Sequence, residues 1–276
     1  MHLFVTGATG FLGSHFIAAA LADGHHVTAL RRPGSQPRIT LEQQPTWCNG
    51  HLNDDWSSQL QACDTLVHLA AAGVSKDQDD WEYCFDINVR QSLQFWRAAI
   101  DHGVKNFLIC GSCFEYGKSG MDYDFIPVDA PLKPIGAYAS SKAAASMAAL
   151  GLAAAHDLNL LIVRPFHLYG EGESETRFWP SLVRAAKNEA DFPMSHGEQV
   201  RDFMPVKDAA QMLVRMASQP KSLKHESAIM NLGTGYARSL LDFAQDQWAL
   251  LKAKGALLPG RIEYRPNEAM RYVPLV

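Results

Sequence analysis

Tyr138 and Lys142 stand four residues apart in Tyr138-Ala139-Ser140-Ser141-Lys142. On a helix this spacing puts both side chains on one face. An ammonium beside a phenol favours phenolate and lowers its pKa. Tyr138 is therefore expected to exchange a proton with a carbonyl or hydroxyl near neutral pH. The second chemical feature is glycine. An apolar run, His2 to Val5, leads into Thr6-Gly7-Ala8-Thr9-Gly10-Phe11-Leu12-Gly13. Gly7 allows a tight strand-to-helix turn, Gly10 lets a pyrophosphate approach the backbone, and Gly13 lets helix and strand pack closely. The helix N-terminus adds free N–H groups and the positive end of its dipole. A dinucleotide site is predicted at Gly7, Thr9, Gly10, Phe11, Leu12 and Gly13, and Lys142 would then reach the ribose hydroxyls of a nicotinamide.

The second strand bears on which dinucleotide. An NAD site usually ends that strand in Asp or Glu, which bonds the ribose 2′-hydroxyl. Here it ends Val27-Thr28-Ala29-Leu30-Arg31-Arg32, with no acid before Glu42. Two guanidiniums can hold a 2′-phosphate and stack on adenine, so NADP is expected in preference to NAD.

These groups need a scaffold, and the chain has the means to build one. It has 276 residues, 47% hydrophobic, with 25 Lys and Arg against 29 Asp and Glu for a net charge of −4. This excludes a disordered or fibrous chain and the global basic field of a nonspecific nucleic-acid binder. No apolar run is long enough for a membrane helix, and the N-terminus does not read as a signal peptide. Strands are predicted at His2–Val5, His26–Leu30, Thr65–Ala70, Asn106–Cys110 and Leu158–Val163. Helices are predicted at Phe11–Asp23, Trp81–His102 and Ala137–His156. The alternation predicts an α/β fold: a Rossmann-type doubly wound parallel sheet over residues 1–165. After Arg164 the chain grows rich in Pro, Gly and aromatic residues, with helices expected at Arg177–Asn188, Val206–Ser218 and Leu240–Leu251. Residues 166–276 are expected to form a smaller substrate-binding α/β domain, with Ile229 to Leu232 returning to the main sheet.

Thr6-Gly7-x-x-Gly10-x-x-Gly13 together with Tyr138-x-x-x-Lys142 resembles the extended short-chain dehydrogenase/reductase family of nucleotide-sugar epimerases, dehydratases and reductases. The resemblance continues through Gly111-Ser112-Cys113-Phe114-Glu115-Tyr116-Gly117, and counting back from Tyr116-Gly117 it implies Ser112 as the third catalytic group. A hydroxyl there would bond the reacting oxygen, and in another setting it would be a turn cap. Asp64 to Ala71 resembles the strand whose end lines the cofactor, which implies contacts from Leu69, Ala70 and Ala71, with Leu52 and Pro165 also at the cofactor. Asn88 matches a structural Asn. Arg164-Pro165-Phe166-His167-Leu168-Tyr169-Gly170 and Val200-Arg201-Asp202 imply substrate contacts from His167 and Arg201, with His167 standing where the family often has Asn. Arg265 before Pro266 implies a further contact to a nucleotide diphosphate. Relatives often dimerise, so a homodimer is possible through Trp81–His102 and Ala137–His156.

Five cysteines and no leader suggest reduced thiols in a cytoplasmic setting. Cys110-Gly111-Ser112-Cys113 is formally C-x-x-C, but no second pair or histidine set stands at zinc-ligand spacing, so no metal is expected. Cys113 is placed at the substrate, though a packed thiol is the simpler reading. Dehydratases of the family carry Asp-Glu after the catalytic hydroxyl, and this chain has Cys113-Phe114. The reading that results is an NADP-dependent reductase of a nucleotide-linked 4-keto-6-deoxyhexose. The alternatives are a nucleotide-sugar epimerase and a non-catalytic NADP-binding regulator.

Overall fold

The computed structural model describes residues 1–74, 80–219, 228–264 and 269–276. In chain order its first part is β1 (His2–Thr6), α1 (Phe11–Ala22), β2 (His26–Arg31), β3 (Thr46–Asn49), α2 (Ser57–Gln61), β4 (Thr65–His68), α3 (Trp81–Phe85), α4 (Ser92–Asp101), β5 (Asn106–Cys110), α5 (Gly136–His156) and β6 (Asn159–Pro165). Then come β7 (His167–Tyr169), α6 (Phe178–Lys187), β8 (Phe192–Pro193), β9 (Val200–Pro205), α7 (Val206–Ser218), β10 (Ala228–Leu232), β11 (Ala237–Ser239), α8 (Leu240–Leu250), β12 (Leu257–Leu258) and β13 (Arg271–Tyr272). No helix among the described residues is long and apolar enough to cross a membrane.

Seven strands form one parallel sheet in the order β3-β2-β1-β4-β5-β6-β10. Alternate side chains of β1 show why both faces are covered. Leu3 and Val5 pack with Phe16, Ile17, Leu213 and Val214 of α1 and α7. Phe4 points the other way, into Leu66, Phe95, Trp96 and the Ala145-Ala149-Ala153 stripe of α5. A strand buried on both sides has to be apolar throughout. The small residues of α5 let that long helix lie close on the sheet. The chain leaves β1 in one direction for β2 and β3, then returns to β4 on the other side. Such a reversal opens a crevice at the carboxyl ends of the strands, and the glycine loop lies there.

The smaller body is built around β9, which pairs with β7, β11 and β13. Phe178, Leu182, Ala244 and Trp248 of α6 and α8 form its apolar packing. Two later segments belong to the first body: α7 shares a core with α1, and β10 pairs with β6.

One predicted helix departs from expectation. Trp81–His102 is not a continuous α-helix: a π-helical turn, Asp86–Gln91, separates α3 from α4. The widened turn carries Asn88, which is buried. Its Oδ1 accepts from Ala72 N at 2.7 Å, and its Nδ2 donates to Ala72 O at 3.1 Å and to Ser141 Oγ at 2.9 Å. One amide thus ties the loop after β4 to α5, one residue before Lys142. Asn88→Ala should lower the unfolding free energy by about 1–3 kcal/mol, because the N–H and C=O of buried Ala72 lose their side-chain partner. Urea denaturation of the two proteins checks this.

Candidate active site

The crevice begins at the glycine loop. Gly7 has φ +69°, and a Cβ there would stand 2.5 Å from Ala70 N. A Cβ on Gly13 would stand 2.1 Å from Gly7 O. Gly10 precedes α1 in extended backbone and gives it no side-chain cap, so the first N–H groups of Phe11, Leu12 and Gly13 are left for an external acceptor. This bare helix end, with backbone that tolerates no side chain, fits a dinucleotide pyrophosphate. Thr9 Oγ1 donates to Ser35 Oγ at 3.3 Å, and Ser35 Oγ donates to Arg32 O at 2.8 Å, joining the loop to the end of β2. There Arg31 lies over the Trp47 ring, 4.7 Å from its centroid, and its Nε donates to Asn49 Oδ1 at 2.8 Å. Arg32 is exposed beside it. Leu69 and Ala70 are partly buried across from Gly7, and Ala71 is exposed. Pro165 closes β6. Leu52, expected at the cofactor, is buried in the core with Leu30 and Trp56.

Tyr138, Lys142 and Ser112 come together at the end of β5. Ser112 follows β5 and opens a short 3-10 turn, Cys113–Glu115. Its Oγ accepts from Phe114 N at 3.2 Å, and its own N–H donates to Glu115 Oε1 at 2.8 Å. The same Ser112 side chain is hydrogen-bonded to Tyr138. The cap reading and the active-site reading therefore describe one hydroxyl. Lys142 is buried and donates to Cys110 O at 2.6 Å. The expected lowering of the Tyr138 pKa is not met. Burial pushes the phenol above its ordinary range, the Cys110 sulfur adds to this, and the Ser112 bond opposes it. Desolvation of the anion outweighs the remaining effects, so Tyr138 stays protonated at neutral pH. Just below, His68 bridges Thr6 Oγ1 and Ser92 Oγ, each at 3.0 Å. Burial, with Lys142 assisting, lowers its pKa to about 3.

Under the Ser112 turn lies an ion pair that the motif reading missed. Glu115 is 0% exposed and Arg164 is 2% exposed, and Arg164 Nε donates to Glu115 Oε2 at 2.9 Å. Arg164 Nη1 also donates to Tyr116 Oη at 3.0 Å and Val128 O at 3.2 Å. Tyr116 Oη donates to Asn231 Oδ1 at 2.6 Å. The signal was present in Glu115 and Arg164, two charges set among apolar strand ends.

The smaller body contributes the opposite wall. The His167 ring packs near Phe114 and Phe203, with centroids 6.5 and 6.3 Å away. Its Nδ1 is buried and has no partner among the described residues. Burial first, then Arg201 and Arg177, lower its pKa to about 3. Arg201 is buried and donates to Val200 O at 2.9 Å and Ala269 O at 2.6 Å. Arg177, which sequence reasoning did not select, donates to Val74 O at 3.1 Å across the crevice. Glu173 feels the same guanidinium, and burial pushes its carboxyl up to about 7. Arg265 lies outside the described residues. Cys113, expected at the substrate, is instead packed among Tyr116, Ile126, Phe166 and Tyr272. Burial, then Glu115, pushes its thiol up to about 12, so it is a packed thiol. Its neighbour Phe114 takes the open position.

A model of the NAD dependent epimerase/dehydratase family matches residues 3–233. The chain belongs to that family. It is an enzyme of the extended short-chain dehydrogenase/reductase type. UDP-glucose 4-epimerase of Corynebacterium glutamicum is 29% identical over 85% of this chain and 76% of its own length. dTDP-6-deoxy-L-talose 4-dehydrogenase (NAD(+)) of Aggregatibacter actinomycetemcomitans is 25% identical over 95% of this chain and 96% of its own. Among solved structures, UDP-N-acetylglucosamine 4-epimerase from Methanobrevibacter ruminantium, in complex with UDP-N-acetylmuramic acid, superposes with a TM-score of 0.88. It does so over 100% of this chain and 89% of its own, at 20% identity, and so shares the fold.

The ion pair gives a clear test. Glu115→Ala leaves Arg164 buried and uncompensated and should cost about 3–5 kcal/mol, whereas replacing both partners by apolar residues of similar volume should restore most of the loss. Chemical denaturation of the single and double variants measures both.

Proposed function

We propose that this enzyme reduces a nucleotide-linked 4-keto-6-deoxyhexose, taking its reducing equivalents from NADPH. The observation that carries the reading is Tyr138, a phenol kept protonated and hydrogen-bonded to Ser112 at the mouth of the dinucleotide crevice. A dinucleotide held at Gly7, Gly10 and Gly13 would supply a hydride for the carbonyl carbon. Tyr138 gives its phenolic proton to the carbonyl oxygen as negative charge develops there. Ser112 hydrogen-bonds the same oxygen and lowers the cost of that charge. Lys142 lies one helical turn from Tyr138 and offsets the phenolate left behind. His167, Arg177 and Arg201 hold the diphosphate of the substrate, where guanidiniums are strong anion donors. The relative that acts on a 6-deoxy-talose supports the sugar class.

Arg31, already seated on Trp47, and Arg32 beside it support NADP. That relative's own name specifies NAD(+), so the NADP reading rests on these two arginines alone. Replacing both with alanine should weaken NADPH binding about 10- to 100-fold and leave NADH almost unchanged, since only the 2′-phosphate loses its charged partners. Fluorescence titration with the two cofactors reads this.

The second reading is an epimerase, favoured by the likeness to a UDP-glucose 4-epimerase. Absorbance at 340 nm separates the two. Consumption of NADPH with a 4-keto-6-deoxyhexose on UDP, dTDP, CDP or GDP supports reduction. Exchange of hydroxyl epimers without added cofactor overturns it. Tyr138→Phe should lower kcat about 10²- to 10⁴-fold with the NADPH dissociation constant unchanged. If the rate does not fall, the phenol is not the proton donor.

A further inference from the structure

Phe114 is the exception in its turn. Ser112, Cys113, Glu115 and Tyr116 around it are buried, while Phe114 is 46% exposed. The residue is not loosely held. Its N–H is bonded to Ser112 Oγ, and the reciprocal bond from Ser112 N to Glu115 closes the turn on either side. The ring stands nearly perpendicular to Tyr138, with centroids 6.4 Å apart, and nearly perpendicular to His167 at 6.5 Å. It therefore spans the gap between the proton donor and the wall that carries Arg201. A large apolar surface left open inside a polar cleft marks an apolar part of the ligand.

The chemistry of a hexose says which part. From a carbonyl at Tyr138 to a diphosphate at the His167 side, one flank of the sugar carries the C3 and C2 hydroxyls. The other flank carries C5 and its C6 substituent. C6 is the position that becomes a projecting methyl group, in a 6-deoxy sugar; a deoxygenated C2 or C3 leaves only a methylene within the ring. A phenyl ring has no hydrogen-bonding group for a C6 hydroxyl, which would lose water there and gain no partner.

We propose that Phe114 is the specificity wall for C6, accepting a methyl and disfavouring a hydroxymethyl. The proposal rests on the nucleotide-sugar reading and deepens it. Discrimination by an apolar wall against an added hydroxyl is moderate, on the order of 10- to 100-fold.

Calorimetric binding tests it without depending on whether the enzyme reduces or epimerises. The 276-residue chain, saturated with NADP, is titrated with matched hexose and 6-deoxyhexose pairs of the same configuration on UDP, dTDP, CDP and GDP. The wild type should bind the 6-deoxy member of its preferred pair at least about 10-fold more tightly, and Phe114→Ser should bring the two within about twofold. Phe114→Leu should keep the preference, and both variants should bind NADP as the wild type does. Equal binding of the pair by the wild type, or an unchanged ratio in Phe114→Ser, overturns the proposal. A wild type that binds NADP but no member of any pair overturns the nucleotide-sugar reading itself, and the wall with it.

Discussion

The Glu115–Arg164 ion pair is the constraint on which the active site depends. Glu115 accepts from Ser112 N with one oxygen and from Arg164 with the other. Arg164 reaches on to Tyr116, and Tyr116 to Asn231. Through four side chains the turn after β5 is thereby referenced to β6 and β10. Burying both charges brings no assured gain in stability, since desolvation offsets their attraction. It does fix geometry: a carboxylate held at both oxygens leaves the turn one arrangement. Gly111 belongs to the same constraint, because a Cβ there would stand 2.6 Å from Glu115 Oε1.

Electrostatics on the two sides of the crevice differ in kind. Around Tyr138 and His68 burial dominates, and both groups stay uncharged at neutral pH. Around His167 the guanidiniums of Arg177 and Arg201 add to burial in keeping the imidazole neutral. One end of the site thus presents an uncharged, proton-bearing phenol, with the Lys142 ammonium bonded to Cys110 O behind it, and the other carries the two guanidiniums. A ligand that is polar and uncharged at one end and anionic at the other matches that gradient.

Much of this was legible in the sequence where the physics is local and periodic. The glycine spacing, the i, i+4 Tyr–Lys pair and the apolar strands each express a backbone requirement, and β5 and α7 fall at the predicted residues. What was not legible depended on distant partners. Nothing in Asp86–Gln91 announces a π-turn, because the reason for it is Asn88 reaching Ala72 and Ser141. The direction of the Tyr138 shift follows from enclosure by other elements, which motif spacing cannot convey. In Cys113-Phe114 the smaller residue turns in and the larger one out, against simple hydrophobic ranking, because the 3-10 turn sets which of them meets the core. Arg177 sits at a helix start with no motif around it, and only the fold carries it to Val74.

The junctions between the two bodies have a mechanical meaning. A single residue, Phe166, separates β6 from β7, and β9 passes directly into α7 with no intervening residue. Phe166 is buried, and α7 is packed against α1. Neither of these two junctions has slack, and they keep the strands that carry His167 and Arg201 close to the sheet on which α5, the helix of Tyr138, packs; a third connection, residues 233–236, runs from β10 to β11. Under the proposed function, the distance between Tyr138 and Arg201 would be set before any ligand arrives, and a ligand too long or too short between its reacting carbon and its charge would fail at one end.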